Sequence, residues 1–150
     1  MASISARAMA LSLRYAKASV LYLAAGSTLV LLTFMGILGF SISAFYFMEL
    51  YGFVAMMIFG VSYLLIPAFS HRPLYSLKLA QWQFWFFNIG TIGMVIGFSG
   101  LVNGDVVRYV QVESITVQVI AVYLHAYNVW KTASGWKGSP GDVLAKSGAK

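Results

Sequence analysis

The sequence predicts an all-α integral membrane protein, a four-transmembrane-helix bundle with both termini cytoplasmic. Three observations predict it. Hydrophobic residues make up 60% of the 150 residues and charged residues only 9%, with a mean hydropathy of +0.80; a soluble domain carries about 25% charged residues, so a surface facing water could not be covered. The apolar residues gather into four runs, each close to the roughly 20 residues a helix needs to cross about 30 Å of hydrocarbon. The cations fall between these runs in an alternating pattern that only an even number of spans satisfies.

The length fits one domain. The net charge of +6 raises nucleic acid as a partner, but the basic residues are spread over the ends and one connector and do not gather on a face, which excludes that class. With no cysteine there is neither a disulfide framework nor a thiolate metal site.

Residues 1–18 contain Arg7, Arg14 and Lys17 and no acid. Ile4, Ala8, Leu11 and Tyr15 fall at helical spacing, which suits a short helix lying on an anionic leaflet; a frayed tail is the alternative. A secretory signal fits poorly, because the apolar run that follows is far longer than a signal core of about 7–15 residues. That run, about 19–42, is the first span. Its small residues Ala25, Thr28, Gly36 and Gly39, with Leu32, form a stripe expected to face another helix, since helices in lipid associate through close backbone approach. Ser43 to Tyr51 reads as an aromatic turn at the headgroup boundary, with Glu49 as its solvated charge.

The second span, about 52–69, ends or kinks at Pro67, which lacks an N–H and disfavours helix at Ile66. A basic connector with His71, Arg72 and Lys78 turns the chain. The third span, about 79–101, opens on an interfacial girdle of Gln81, Trp82, Gln83, Trp85 and Phe86 and continues with Gly90, Gly93 and Gly97 on one nearly bare side, a helix-packing signal. Asn103-Gly104 is a turn dipeptide. On the fourth span, about 106–130, Gln111, Ser114, Gln118, Ala121, His125, Asn128 and Thr132 recur at steps of three or four and share one face. Polar groups in hydrocarbon need partners, so this face is expected to meet other helices, a cavity or a bound polar molecule. Residues 132–150 form a Gly-, Ser- and Lys-rich tail.

With four spans, Arg7, Arg14, Lys17, Arg72, Lys78, Lys131, Lys137, Lys146 and Lys150, nine of the ten cations, lie on one side. Arg108, Glu49, Asp105 and Glu113 lie on the other. The positive-inside bias makes the first side cytoplasmic.

One stretch also carries a family likeness. Ile58-Phe59-Gly60, Tyr63 and Pro67, then Arg72-Pro73-Leu74-Tyr75-Ser76, Leu79-Ala80 and Phe84-Trp85, resemble subunit I of the haem-copper oxidase superfamily and the short four-helix proteins like it. The resemblance implies a haem- and copper-binding fold, yet the positions matching the family's haem-ligating histidines hold Phe45 and Phe47, and Leu64 follows Tyr63. A phenyl or isobutyl group has no lone pair for a metal, so the ligand set does not carry over.

His71 and His125 are the only histidines, and no carboxylate cluster supplies a metal site. These observations point to a non-catalytic accessory or assembly subunit of a larger respiratory or oxygen-using membrane complex. It would have no cofactor of its own and would pack against lipid and other subunits through Gly36, Gly39, Gly90, Gly93 and Gly97 and the polar face of Gln111, Ser114, Gln118, His125 and Asn128. A bacterial or archaeal cytoplasmic membrane is the expected setting. Two further readings stay open: a haem b-binding cytochrome ligated by His125, and a homo-oligomeric transporter or channel lined by the fourth helix. A bundle with one His, Tyr and Trp also admits a quinone.

Overall fold

The computed structural model describes residues 6–101 and 104–134. The expectations placed on the first five residues, on Asn103 and on the tail beyond Ser134 lie outside them. Among the described residues the chain is all-helical, with four helices: α1 (Ala6–Phe34), α2 (Ile42–Ser70), α3 (Leu77–Phe98) and α4 (Asp105–Ser134).

α1 begins at Ala6 and runs unbroken for 29 residues. Its opening turns are Ala, Met, Leu and Arg, all strong helix formers, with no glycine before Gly26. From Ala6 onward the basic segment is continuous with the first long helix, and Ala8, Leu11 and Tyr15 are buried in the bundle. α2 is capped by the Ser41 hydroxyl, which accepts from the Ser43 N–H at 3.2 Å. It passes through a π-helical stretch, Met48–Ala55, before continuing as α-helix. Ser43 to Tyr51 is thus helix and not a turn. The π stretch has a packing reason: Ala44, Met48, Gly52 and Met56 are all buried, at steps of four. Such a row drifts around a helix of 3.6 residues per turn, and the wider turns of i→i+5 bonding hold it on one face.

Pro67 lies inside the last turn of α2. The helix stops at His71, which is left-handed (φ 52°), and the Arg72 N–H donates to the Pro67 carbonyl at 3.2 Å. α3 starts at Ser76, whose hydroxyl accepts from the Leu79 N–H.

The helices pair as two antiparallel hairpins, α1–α2 and α3–α4, with α2 also packed on α3 and α4. The first seam joins large groups to glycines across the helices. A methyl added at Gly60 would stand 2.7 Å from Tyr15 Cβ; one at Gly26 would stand 2.7 Å from Glu49 Oε1, and Gly52 faces the Tyr22 ring. The α1 stripe that meets α2 is thus Leu11, Tyr15, Ser19, Tyr22 and Gly26. Ala25 and Thr28 are exposed, while Gly36 (φ 72°) and Gly39 sit in the α1–α2 connection with open space beside them. Close approach needs one small partner per contact, and here that partner is often on α2. The second seam has its glycines on α3: Gly90 lies against the Ser114 and Gln118 backbone, Gly93 against Ser114 and Gly97 against Gln111.

This pairing puts the starts of α1 and α3 beside the ends of α2 and α4. Arg7, Arg14, Lys17, Arg72, Lys78 and Lys131 occupy that half, and Glu49, Asp105, Arg108 and Glu113 the other. Large aromatic residues stand exposed near each end: Phe69, Tyr75, Trp82, Trp85 and Trp130 at the cationic end, Phe34, Tyr46 and Tyr109 at the opposite one. Between them runs a belt of exposed Leu, Ile and Val, far more apolar surface than a water-soluble monomer shows. α1 and α2 are each long and apolar enough to cross a membrane; α3 and α4 are interrupted by Gln, Asn and charged residues.

The seams predict a contrast between two glycines. Gly90→Ala puts a methyl 3.1 Å from both the Ser114 carbonyl oxygen and the Gln118 nitrogen and should cost about 1–3 kcal/mol. Gly39→Ala meets nothing and should leave the thermal midpoint in detergent unchanged. Equal midpoints for the two variants would contradict the seam.

Candidate functional site

Sequence pattern marked the polar face of α4, and the structure shows what each of those residues touches. The Gln111 amide donates to the Gly97 carbonyl at 2.8 Å. The Ser114 hydroxyl donates to the Val110 carbonyl within its own helix and rests on Gly93. Gln118 sends Nε2 toward Thr91 Oγ1 at 3.4 Å, while Oε1 is turned against Gly90. Asn128 makes a two-way bond to one backbone residue, accepting from the Ser76 N–H at 3.1 Å and donating to the Ser76 carbonyl at 2.9 Å. Thr132 accepts from the Tyr75 N–H at 3.1 Å. Most of the face is turned inside the chain, against α3 and the α2–α3 connection, while Gln118 Oε1 is buried without a hydrogen-bond partner.

His125 is held by α2. Its Nε2 lies 3.2 Å from Ser62 Oγ, and Ser62 donates its one proton to the Phe59 carbonyl at 2.9 Å. The Ser62 hydroxyl thus stands within reach of both the Phe59 carbonyl and the imidazole Nε2. Nδ1 is sealed from the surface and has no hydrogen-bond partner. The ring packs on Phe59 at 4.2 Å between centroids and on Tyr63 at 4.9 Å.

A second polar group, which pattern reading did not single out, sits at the centre of the bundle. Gln83 Oε1 accepts from the hydroxyls of Tyr15 on α1 and Tyr63 on α2. The Tyr15 hydroxyl also lies 3.0 Å from the Ala80 carbonyl. All three side chains are fully buried, and Phe84 meets Tyr15 edge-on at 4.9 Å. Gln83 was read as part of the interfacial girdle. A signal against that reading was its register: Ala80, Gln83, Phe87, Gly90, Met94 and Gly97 form one stripe at steps of three and four, and all are buried. Trp82 and Trp85 flank the stripe and are exposed.

Among the described residues no group of three His, Cys, Asp or Glu side chains could hold a metal. His125 has Nε2 against the Ser62 hydroxyl and Nδ1 buried, and His71 stands exposed in the turn beyond α2, outside the bundle interior. Phe47 packs on Phe98 at 4.5 Å and on Tyr51 at 5.8 Å, and Phe45 on Tyr46 at 5.8 Å. Glu49, half-buried in the π stretch, has Oε1 sealed against Gly26 without a partner; it is not the fully solvated charge its position in the sequence suggested. A largely apolar cavity of about 420 Å³ opens between α2 and α4, lined in part by Phe47, Tyr51, Met94, Val122 and Tyr123, with Gln118 as its amide.

The family model described as Cytochrome C and Quinol oxidase polypeptide I matches residues 40–136. A protein of Bradyrhizobium diazoefficiens described as "Cytochrome c oxidase subunit 1 homolog, bacteroid" is 41% identical over 51 residues, which is 33% of this chain and 9% of that protein. The chain therefore matches less than a tenth of the curated relative's length. No solved structure matches the chain.

The central node makes a stability prediction. Gln83→Leu leaves the Tyr63 hydroxyl buried without an acceptor and should lower stability by about 2 kcal/mol, whereas adding Tyr63→Phe should recover part of the loss by removing the orphaned group. Thermal unfolding of the two variants in one detergent measures this. A double variant less stable than the single one would show that the node is not what holds these helices.

Proposed function

The chain belongs to the Cytochrome C and Quinol oxidase polypeptide I family, and on that premise we propose that it is a non-catalytic accessory or assembly subunit of a larger respiratory or oxygen-using membrane complex. The observation that carries this reading is the state of His125. In a family whose chemistry depends on metal held by protein ligands, the one histidine inside this bundle has its Nε2 3.2 Å from the Ser62 hydroxyl and its other nitrogen sealed away. The polar face that could have recruited a cofactor holds α3 and a connector in place. What the chain offers outward is apolar surface on every helix, and that is the chemistry of lipid and of neighbouring membrane subunits.

All four helices span the membrane in this proposal. The exposed aromatic residues support it: Tyr46 to Phe69 on α2 and Tyr109 to Trp130 on α4 are each roughly 30–35 Å apart at about 1.5 Å per residue, the thickness of a hydrocarbon core with its headgroup boundaries. The buried polar residues of α3 and α4 turn toward each other or toward α1 and α2 and away from lipid. The cationic end faces the cytoplasm, in a bacterial or archaeal cytoplasmic membrane.

Two experiments test this. Purification in gentle detergent, with mass spectrometry of what co-migrates and an absorption spectrum of the same fraction, should give stoichiometric membrane partners and no Soret band belonging to this chain. A lone chain carrying its own haem would defeat the proposal. Because the chain has no cysteine, single introduced cysteines report sidedness without background. Ser134→Cys should react with an impermeant maleimide from the cytoplasmic side and Leu101→Cys from the other; reaction of both from the same side would rule out four spans.

A further inference from the structure

We propose that the cationic end carries a discrete site for the phosphate of an anionic phospholipid, built by Arg7 and Arg14 of α1 with Lys78 and Gln81 of α3. These side chains, with Ala10, Leu11 and Leu77, line one cavity of about 330 Å³ between the starts of the two helices. Arg7 and Arg14 are two turns apart on one face of α1, and Lys78 and Gln81 are one turn apart on α3. Three cations thus line the cavity without a carboxylate among the lining residues. The like charges repel unless an anion lies between them, and the first turn of α3 adds the positive end of its dipole.

The phosphate chemistry follows from the donors. Two guanidinium forks, an ammonium and an amide offer many N–H groups and no acceptor except the amide oxygen, which suits a tetrahedral anion with several oxygens. The lipid follows from the place. The floor is Ala10, Leu11 and Leu77, exposed Trp82 and Trp85 stand within two turns of Lys78, and Leu13 and Leu21 are exposed on α1. A ligand seated there has its charged group at the cations and its remaining length along apolar surface, which describes a phospholipid with an anionic headgroup. Inorganic phosphate shares the donors and lacks the tail.

The test uses the full chain with Trp130→Phe and Trp136→Phe, so that Trp82 and Trp85 report alone, in phosphatidylcholine vesicles containing brominated phosphatidylglycerol or brominated phosphatidylcholine. Bromine quenches tryptophan on contact. Quenching should favour phosphatidylglycerol, and the preference should fall about fivefold for each cation removed and vanish in the triple variant Arg7→Gln, Arg14→Gln, Lys78→Gln. The triple variant Lys17→Gln, Arg72→Gln, Lys131→Gln removes the same charge from the same end and should keep the preference. If the first triple variant loses its helical circular dichroism, Lys78→Gln alone carries the test with its fivefold drop. Equal quenching by the two lipids, or equal loss in the two triple variants, would overturn the site. Relief of quenching by inorganic phosphate would assign the cavity to a free anion and overturn the lipid. No quenching by either lipid would overturn the membrane placement as well.

Discussion

Gln83 is the point on which three helices depend. In an apolar interior a phenol has few acceptors within reach, and two phenols from different helices, Tyr15 and Tyr63, converge on this one amide oxygen. The fourth helix is tied in by the same rule at another place: the Asn128 amide closes on both backbone groups of Ser76, and Thr132 takes the N–H of Tyr75. Directional bonds of this kind set which helix lies beside which. The glycine seams then set how close they come, because Gly60 admits Tyr15 and Gly90 admits Ser114 and Gln118. Apolar contact alone would not choose one arrangement, since lipid tails are as good a partner for Leu and Ile as another helix is.

Membership of the family follows from residues 40–136, whose motif residues are also structural here: Gly60 is where α1 approaches, Tyr63 reaches Gln83, and Ser76 caps α3. Each can be kept for packing alone. A metal centre needs several free lone pairs pointed at one place; this bundle has rings on rings at Phe47 and Phe98 and at Phe59 and Phe87, with an imidazole whose partner is a serine.

Much of the fold was legible in the sequence and its partner choices were less so. Helix number, the glycines of α3 and the polar face of α4 follow from spacing, since a periodic pattern reports which residues share a face. What spacing cannot report is which neighbour a face meets. The row of Ala25, Thr28, Gly36 and Gly39 has the right period on paper, yet the seam formed around Tyr15 and Tyr22 because the matching small residues, Gly60 and Gly52, are on α2. Gln83 was misplaced for a related reason: beside Trp82 and Trp85 its neighbours in sequence speak for the interface, whereas its neighbours in register, Ala80 and Phe87, speak for the core. The boundary of α2 was missed because aromatic residues from Phe45 to Tyr51 mark a headgroup region equally well whether they stand on a helix or a turn.

The division of polarity between the two hairpins bears on how such a chain reaches its membrane. α1 and α2 are apolar enough to leave the translocation machinery singly. α3 and α4 carry Gln83, Asn88, Gln111, Gln118 and Asn128, and Gln111 and Gln118 of α4 find their partners, Gly97 and Thr91, on α3. In the four-span arrangement proposed above, the second hairpin would assemble before, or as, it partitions into lipid, with the first hairpin already there to supply Tyr15, Tyr63 and Ser62. On that arrangement, biogenesis would be ordered by the fold's own hydrogen bonds, the N-terminal pair serving as the template on which the more polar pair is admitted.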